Sequence, residues 1–121
     1  MQSGQSHITL RELLYQVLPQ LHSAEAMIRN TLTAIIEATR DPRERARREE
    51  QRAALDLELF TIRLNVEHLL KRHPEAVVEV KESEGEKEGP LLALDEGEAV
   101  AIEKARQFHD RVLELRRDMA G

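Results

Sequence analysis

Residues 41–74 read DPRERARREEQRAALDLELFTIRLNVEHLLKRHP, and this stretch decides the fold. Asp41 has a carboxylate that can accept from the unpaired amides of a first helical turn. Pro42 falls where a missing N–H costs nothing, and Glu44 completes a capping box and complements the helix dipole. At the far end Pro74 disfavours helical geometry at His73. The spacing therefore predicts one helix of about nine turns over 42–73.

That helix has two apolar faces. At about 100° per residue, Leu55, Leu59, Ile62, Val66 and Leu69 share one face at 4-3-4-3 spacing. Ala53, Leu57, Phe60 and Leu64 share the opposite one. A surface helix needs one apolar stripe, so a helix with two is expected between two neighbours. Residues 43–52 differ: Ala46 is their single apolar member, and this end has little to bury.

Upstream, Leu10, Leu14, Val17, Leu21, Ala24, Ile28, Thr31 and Ile35 repeat at 4-3-4-3-4-3-4. Thr9 and Glu12 form a second capping box, with Ser6 as a competing cap. The stripe keeps its phase through Pro19, which lies opposite it. This favours one helix over about 8–39, kinked at Pro19, above two helices broken at 18–23 with Ser23 as a new cap. Only Arg40-Asp41 joins this helix to the next, so the two form an antiparallel hairpin.

Downstream, Asp95 and Glu98 form a third capping box. Ala101, Ala105, Phe108, Val112, Leu115 and Met119 then repeat at 4-3-4-3-4, predicting a helix over about 96–119 that ends at Gly121. Between them, Ala76–Lys81 has strand composition, residues 82–89 are a charged, mobile turn, and Pro90–Leu94 is apolar again. Segment 75–95 is thus expected as an acidic loop or a small β-hairpin. Met1–Ser6 is expected to be disordered. The fold class is all-α: an antiparallel bundle of three long helices in a single domain spanning 1–121.

Composition agrees. Tyr15, Phe60 and Phe108 are the whole aromatic set and Cys is absent, so the core is aliphatic and neither a disulfide frame nor a thiolate metal site can form. No apolar run approaches the roughly 20 residues of a membrane span, and the polar N-terminus is no signal peptide, which points to the cytoplasm. Arginine outnumbers lysine 14 to 4, a bias that fits a GC-rich or thermophilic bacterial source. The net charge is −5. Residues 75–96 carry eight acids against Lys81 and Lys87, whereas 40–52 carry six Arg against four acids.

The first helix is apolar out to Leu32, Ile35 and Ile36, while its hairpin partner there is the charged segment. That end is expected to be left uncovered. An uncovered stripe at 4-3 spacing implies a missing helix, from a second copy or from a partner. The interaction surface expected is Leu32, Ile35 and Ile36 with Arg43, Arg47 and Arg48, the arginines docking the acidic loop of a neighbouring chain. The function expected is non-enzymatic protein–protein contact, as an adaptor, chaperone-like protein or regulatory subunit.

Two short motifs carry the competing chemistry. His68-Leu-Leu-Lys71 resembles the phosphoacceptor box of histidine phosphotransfer domains and of histidine-kinase dimerisation hairpins. The resemblance implies an exposed imidazole that takes a phosphoryl group, with Lys71 screening its charge. Arg72 stands where phosphotransfer domains have glycine, and Pro74 is one position late for the kinase box. Arg63 and His68 match the Arg-x4-His spacing of HEPN ribonuclease toxins, which implies acid–base cleavage of RNA across a dimer. By helical periodicity the two lie about 140° apart. The alternatives are a solvated surface histidine and an Arg63–Glu67 salt bridge.

No cofactor or metal is expected: the Glu-x-x-His pairs of dimetal bundles and the His-Glu-x-x-His motif are both absent. Nucleic acid is disfavoured because acids interleave the arginines and no aromatic accompanies them. No motif points to a small-molecule substrate.

Overall fold

The computed structural model describes residues 6–120, without the side chains of 115, 116 and 118–120. The described residues are all-α apart from one two-stranded ribbon. Strand β1 (His7–Thr9) leads into helix α1, which covers residues 10–38. Helix α2 (Pro42–Lys71), short helix α3 (Pro74–Glu82), strand β2 (Leu91–Ala93) and helix α4 (Glu96–Ala120) follow. The described residues form four helices, not three.

The three caps sit where the sequence puts them. Thr9 accepts from the Glu12 amide at 3.1 Å and Asp41 from the Arg43 amide at 3.2 Å. Asp95 and Glu98 bond reciprocally, at 2.7 Å from the Glu98 amide and 3.0 Å from the Asp95 amide. Glu44 departs from expectation. It does not reach back to Asp41 but accepts from Arg47 at 2.7 Å and from Arg48 at 3.1 Å.

Helix α1 runs unbroken past Pro19, so the two-helix alternative falls. The chain accommodates proline with a π-helical stretch at Leu13–Val17, in which the Leu18 amide donates to the Leu13 carbonyl five residues back. The wider turn just ahead of Pro19 adjusts the ladder where proline supplies no donor.

Segment 75–95 is neither a hairpin nor one loop. Pro74 and Glu75 start α3 in spite of the valines that follow, and Val77 and Val80 face the core three residues apart. Local strand propensity loses to the burial of that face. Strand β2 does form, but it pairs antiparallel with β1 at the other end of the chain, Ile8 opposite Leu92. The turn between α3 and β2 is tied to the start of α1. The Arg11 amide donates to the Glu88 carbonyl at 2.9 Å, and Arg11 and Glu88 pair through their side chains. Gly89 is required there: its φ is +72°, and a Cβ would lie 2.7 Å from Val80.

Helices α1, α2 and α4 each pack against the other two. One core cluster results. It takes Leu13, Val17 and Leu21 from α1, Leu59, Ile62, Val66 and Leu69 from α2, and Ala105, Phe108 and Val112 from α4. Ile8, Val80 and Leu92 close its end. Leu115 and Met119, the last members of the α4 stripe, have side chains outside the described set, and Gly121 and most of Met1–Ser6 lie outside the described residues.

This triangular arrangement corrects the central expectation. Helix α2 is not sandwiched. Leu59 and Ile62 are 3% and 2% exposed, while Leu57, Phe60 and Leu64 are 67%, 47% and 49% exposed. In a row of three the middle helix would bury both faces. In a triangle α1 and α4 bury surface against each other, and each helix has only one inward face. The far end of α1 is corrected too: Leu32 and Ile36 are buried within the chain, and Ile35 stands at the exposed margin. The turns of α2 that run beside them in the hairpin carry half-buried Glu44, Arg48 and Arg52. Long charged side chains cover apolar surface with their stems while their heads stay in water.

Candidate functional site

The uncovered apolar surface lies on the outward face of α2. Leu57, Phe60 and Leu64 stand in line there, one turn apart, with exposed Ala53 ahead of them. They leave a contiguous apolar patch open to water, and the largest such patch on a monomer is often functional. Beside them a groove of about 630 Å³ opens between α2 and α4. Leu57 and exposed Val100 stand on its two sides, with Thr61, Asn65 and Lys104 among its polar lining. Arg63 lies at the other flank, its guanidinium 5.7 Å from the centre of the Phe60 ring. The sequence pattern found Leu57, Phe60 and Leu64 but assigned them to the interior; it did not single out Val100 or Lys104.

Arg63 pairs with Glu25 on α1 at 2.9 Å, not with Glu67. The other oxygen of Glu25 is buried with no hydrogen-bond partner. His68 leans the other way, toward α4, its Nδ1 3.2 Å from Oε2 of Glu98. The two residues of the ribonuclease-like spacing thus engage different helices, and the structure does not bring them together. Lys71 is exposed one turn past His68.

Glu98 is the buried anchor of this region, 1% exposed. Its Oε1 accepts from Arg72 at 2.7 Å and from the Asp95 amide, and its Oε2 faces His68. The sequence marked Glu98 as a cap but not as the residue that joins α4 to α2, because the partners are 26 and 30 residues away. His68, Asp95 and Glu98 bring ligand atoms within 4.8 Å of one another, a grouping the sequence did not suggest. Helix capping and the Arg72 pair already engage one oxygen of each carboxylate, so the cluster is accounted for by the joint between α2 and α4.

Three of the six arginines of the basic segment are paired within it. Arg47 and Arg48 are held by Glu44, and Arg45 lies 3.4 Å from Glu49. Arg43 is exposed at the first turn. The hydrogen bond from Arg47, with the charges of Arg47 and Arg48, holds Glu44 below its ordinary value of 4.5. A lowered folded value means that the pair contributes stability above the ordinary pKa. That contribution is lost as pH falls through the lowered one. Carboxylate titration by NMR should find Glu44 below 4.5 and Arg47→Ala should move it upward. A midpoint unmoved by the substitution would show that the pair does not form in solution.

No helix among the described residues is long and apolar enough to cross a membrane. Comparison with protein-family models, curated proteins and solved structures finds no match to this chain.

Proposed function

We propose that this is a non-enzymatic helical-bundle protein that acts through protein–protein contact, as an adaptor or regulatory subunit, with the outward face of α2 as its docking surface. One observation carries the reading: Leu57, Phe60 and Leu64 are exposed in line on a helix whose other face is fully engaged in the core. Burying such a stripe against another helix is favourable, and a helical partner offers matching ridges and grooves.

The test compares immobilised wild-type protein with Leu64→Asp and His68→Ala. Leu64 is half-exposed, so an acid there should leave the melting temperature nearly unchanged. The same acid would be desolvated in any interface that covers it. Proteins retained by the wild type, further copies of the chain included, should be lost with Leu64→Asp and kept with His68→Ala. Retention indifferent to Leu64→Asp would remove this surface from the function.

A second reading, a phosphocarrier using His68, is favoured by one contact. The imidazole is 62% exposed on its side chain, and buried Glu98 faces its Nδ1. A carboxylate there favours the proton on Nδ1 and leaves Nε2 free as the nucleophile. In that case His68→Ala would abolish the uptake of acid-labile phosphate from a phosphorylated receiver domain.

A further inference from the structure

We infer that the occupant of the outward face of α2 is the same helix of a second copy, packed antiparallel about a two-fold axis between Phe60 and Thr61. The inference rests on the docking reading above and adds the partner and the geometry.

The stripe is complementary to itself in one direction only. Glu50, Ala53, Leu57, Phe60, Leu64 and Lys71 lie within about 40° of one line along α2, by the helical repeat, with Glu49 and Glu67 at its margin and His68 turned toward Glu98. The apolar residues occupy the middle, an acid stands at one end and a base at the other. Glu50 and Lys71 are equally distant from the axis, about 16 Å along the helix. Both are exposed, and among the described residues neither has an ion-pair partner. Most other charges on α2 are already engaged: Arg63 with Glu25, Glu58 with Lys104, Arg45 with Glu49, and Arg47 and Arg48 with Glu44.

Antiparallel packing sets Leu57 against Leu64 of the second copy, and Phe60 against the turn that carries its own counterpart. It also sets Glu50 against Lys71 of the second copy, twice over by symmetry. Parallel packing would instead place Glu50 on Glu50 and Lys71 on Lys71. An isologous two-fold contact needs a surface that matches itself when turned end for end, and this one does. Small Ala53 and Ala54, both exposed, let the backbones approach. Val100, on the far side of the groove, extends the apolar surface available to the second helix.

The experiment is sedimentation equilibrium on the full chain across a concentration series, with circular dichroism to confirm folding of each variant. The wild type should dimerise and Leu64→Asp should be monomeric with unchanged helicity. Glu50→Lys and Lys71→Glu should each weaken the dimer about tenfold, the scale of two exposed ion pairs turned to repulsion. The double variant Glu50→Lys/Lys71→Glu should return to near the wild-type affinity, because the pair is rebuilt with its signs exchanged. A wild type that stays monomeric overturns the second copy as occupant but leaves the face open to a different partner. A dimer that survives Leu64→Asp overturns this inference, and the docking reading falls with it only where retention of other proteins is also indifferent to Leu64→Asp. A dimer lost with Leu64→Asp but not rescued in the double swap overturns the antiparallel register alone.

Discussion

Leu69→Ala is expected to lower the unfolding free energy by about 3–4 kcal/mol, and Leu64→Ala on the same helix by less than about 0.5 kcal/mol. Leu69 is fully buried in the central cluster, whereas Leu64 is half-exposed. Truncating Leu69 removes the transfer free energy of its methyl groups and leaves a cavity that close-packed neighbours fill only in part. At Leu64 water already reaches the side chain, and alanine is at least as good a helix former as leucine. The measurement is urea unfolding at low protein concentration, so that association adds nothing to the apparent stability. The pair of values reads out which apolar face of α2 is the inner one. Similar losses at both positions would mean that α2 is covered front and back, as the sequence pattern suggested.

Glu98→Ala should cost about 2–3 kcal/mol, and Glu98→Gln about half as much. The carboxylate caps the start of α4 through the Asp95 amide and also holds His68 of α2 and Arg72 just past its end. Removing it deletes a cap, a charged hydrogen bond and a buried volume together. Breaking a fully buried ion pair costs more, about 3–5 kcal/mol, because the surviving charge stays dry. Here the surviving side chains, Arg72 and His68, are 42% and 62% exposed and can rehydrate, which sets the lower figure. Glutamine keeps the volume and one acceptor for the Asp95 amide but loses the charge that Arg72 meets. His68→Ala, by contrast, should change stability little. If thermal unfolding shows Glu98→Ala to be as mild as His68→Ala, the joint between α2 and α4 is held by apolar packing alone.

Much of the architecture was readable from local chemistry. Thr9, Asp41 and Asp95 mark the starts of α1, α2 and α4 because a cap is satisfied by amides within three residues of it. The unbroken phase of the α1 stripe through Pro19 predicted a continuous helix, and the π-helical turn shows how the backbone manages it. Helix α3 was hidden because valine composition argues for a strand, while the burial of Val80 depends on helices remote in sequence. Strand β2 was visible as an apolar run, but its partner at His7–Thr9 lies more than 80 residues upstream, and no pattern within either segment names the other.

The candidate surface shows the same division more sharply. The chain alone specifies that α2 is a long capped helix with apolar residues on two opposite faces, since period and caps are properties of neighbouring residues. Which face turns inward depends on how α1 and α4 meet, and they meet each other as well as α2. That closure into a triangle leaves Leu57, Phe60 and Leu64 outside and draws Leu32 and Ile36 in. Burial is a property of three helices together, so the choice between two equivalent stripes was settled by packing rather than by any residue in them.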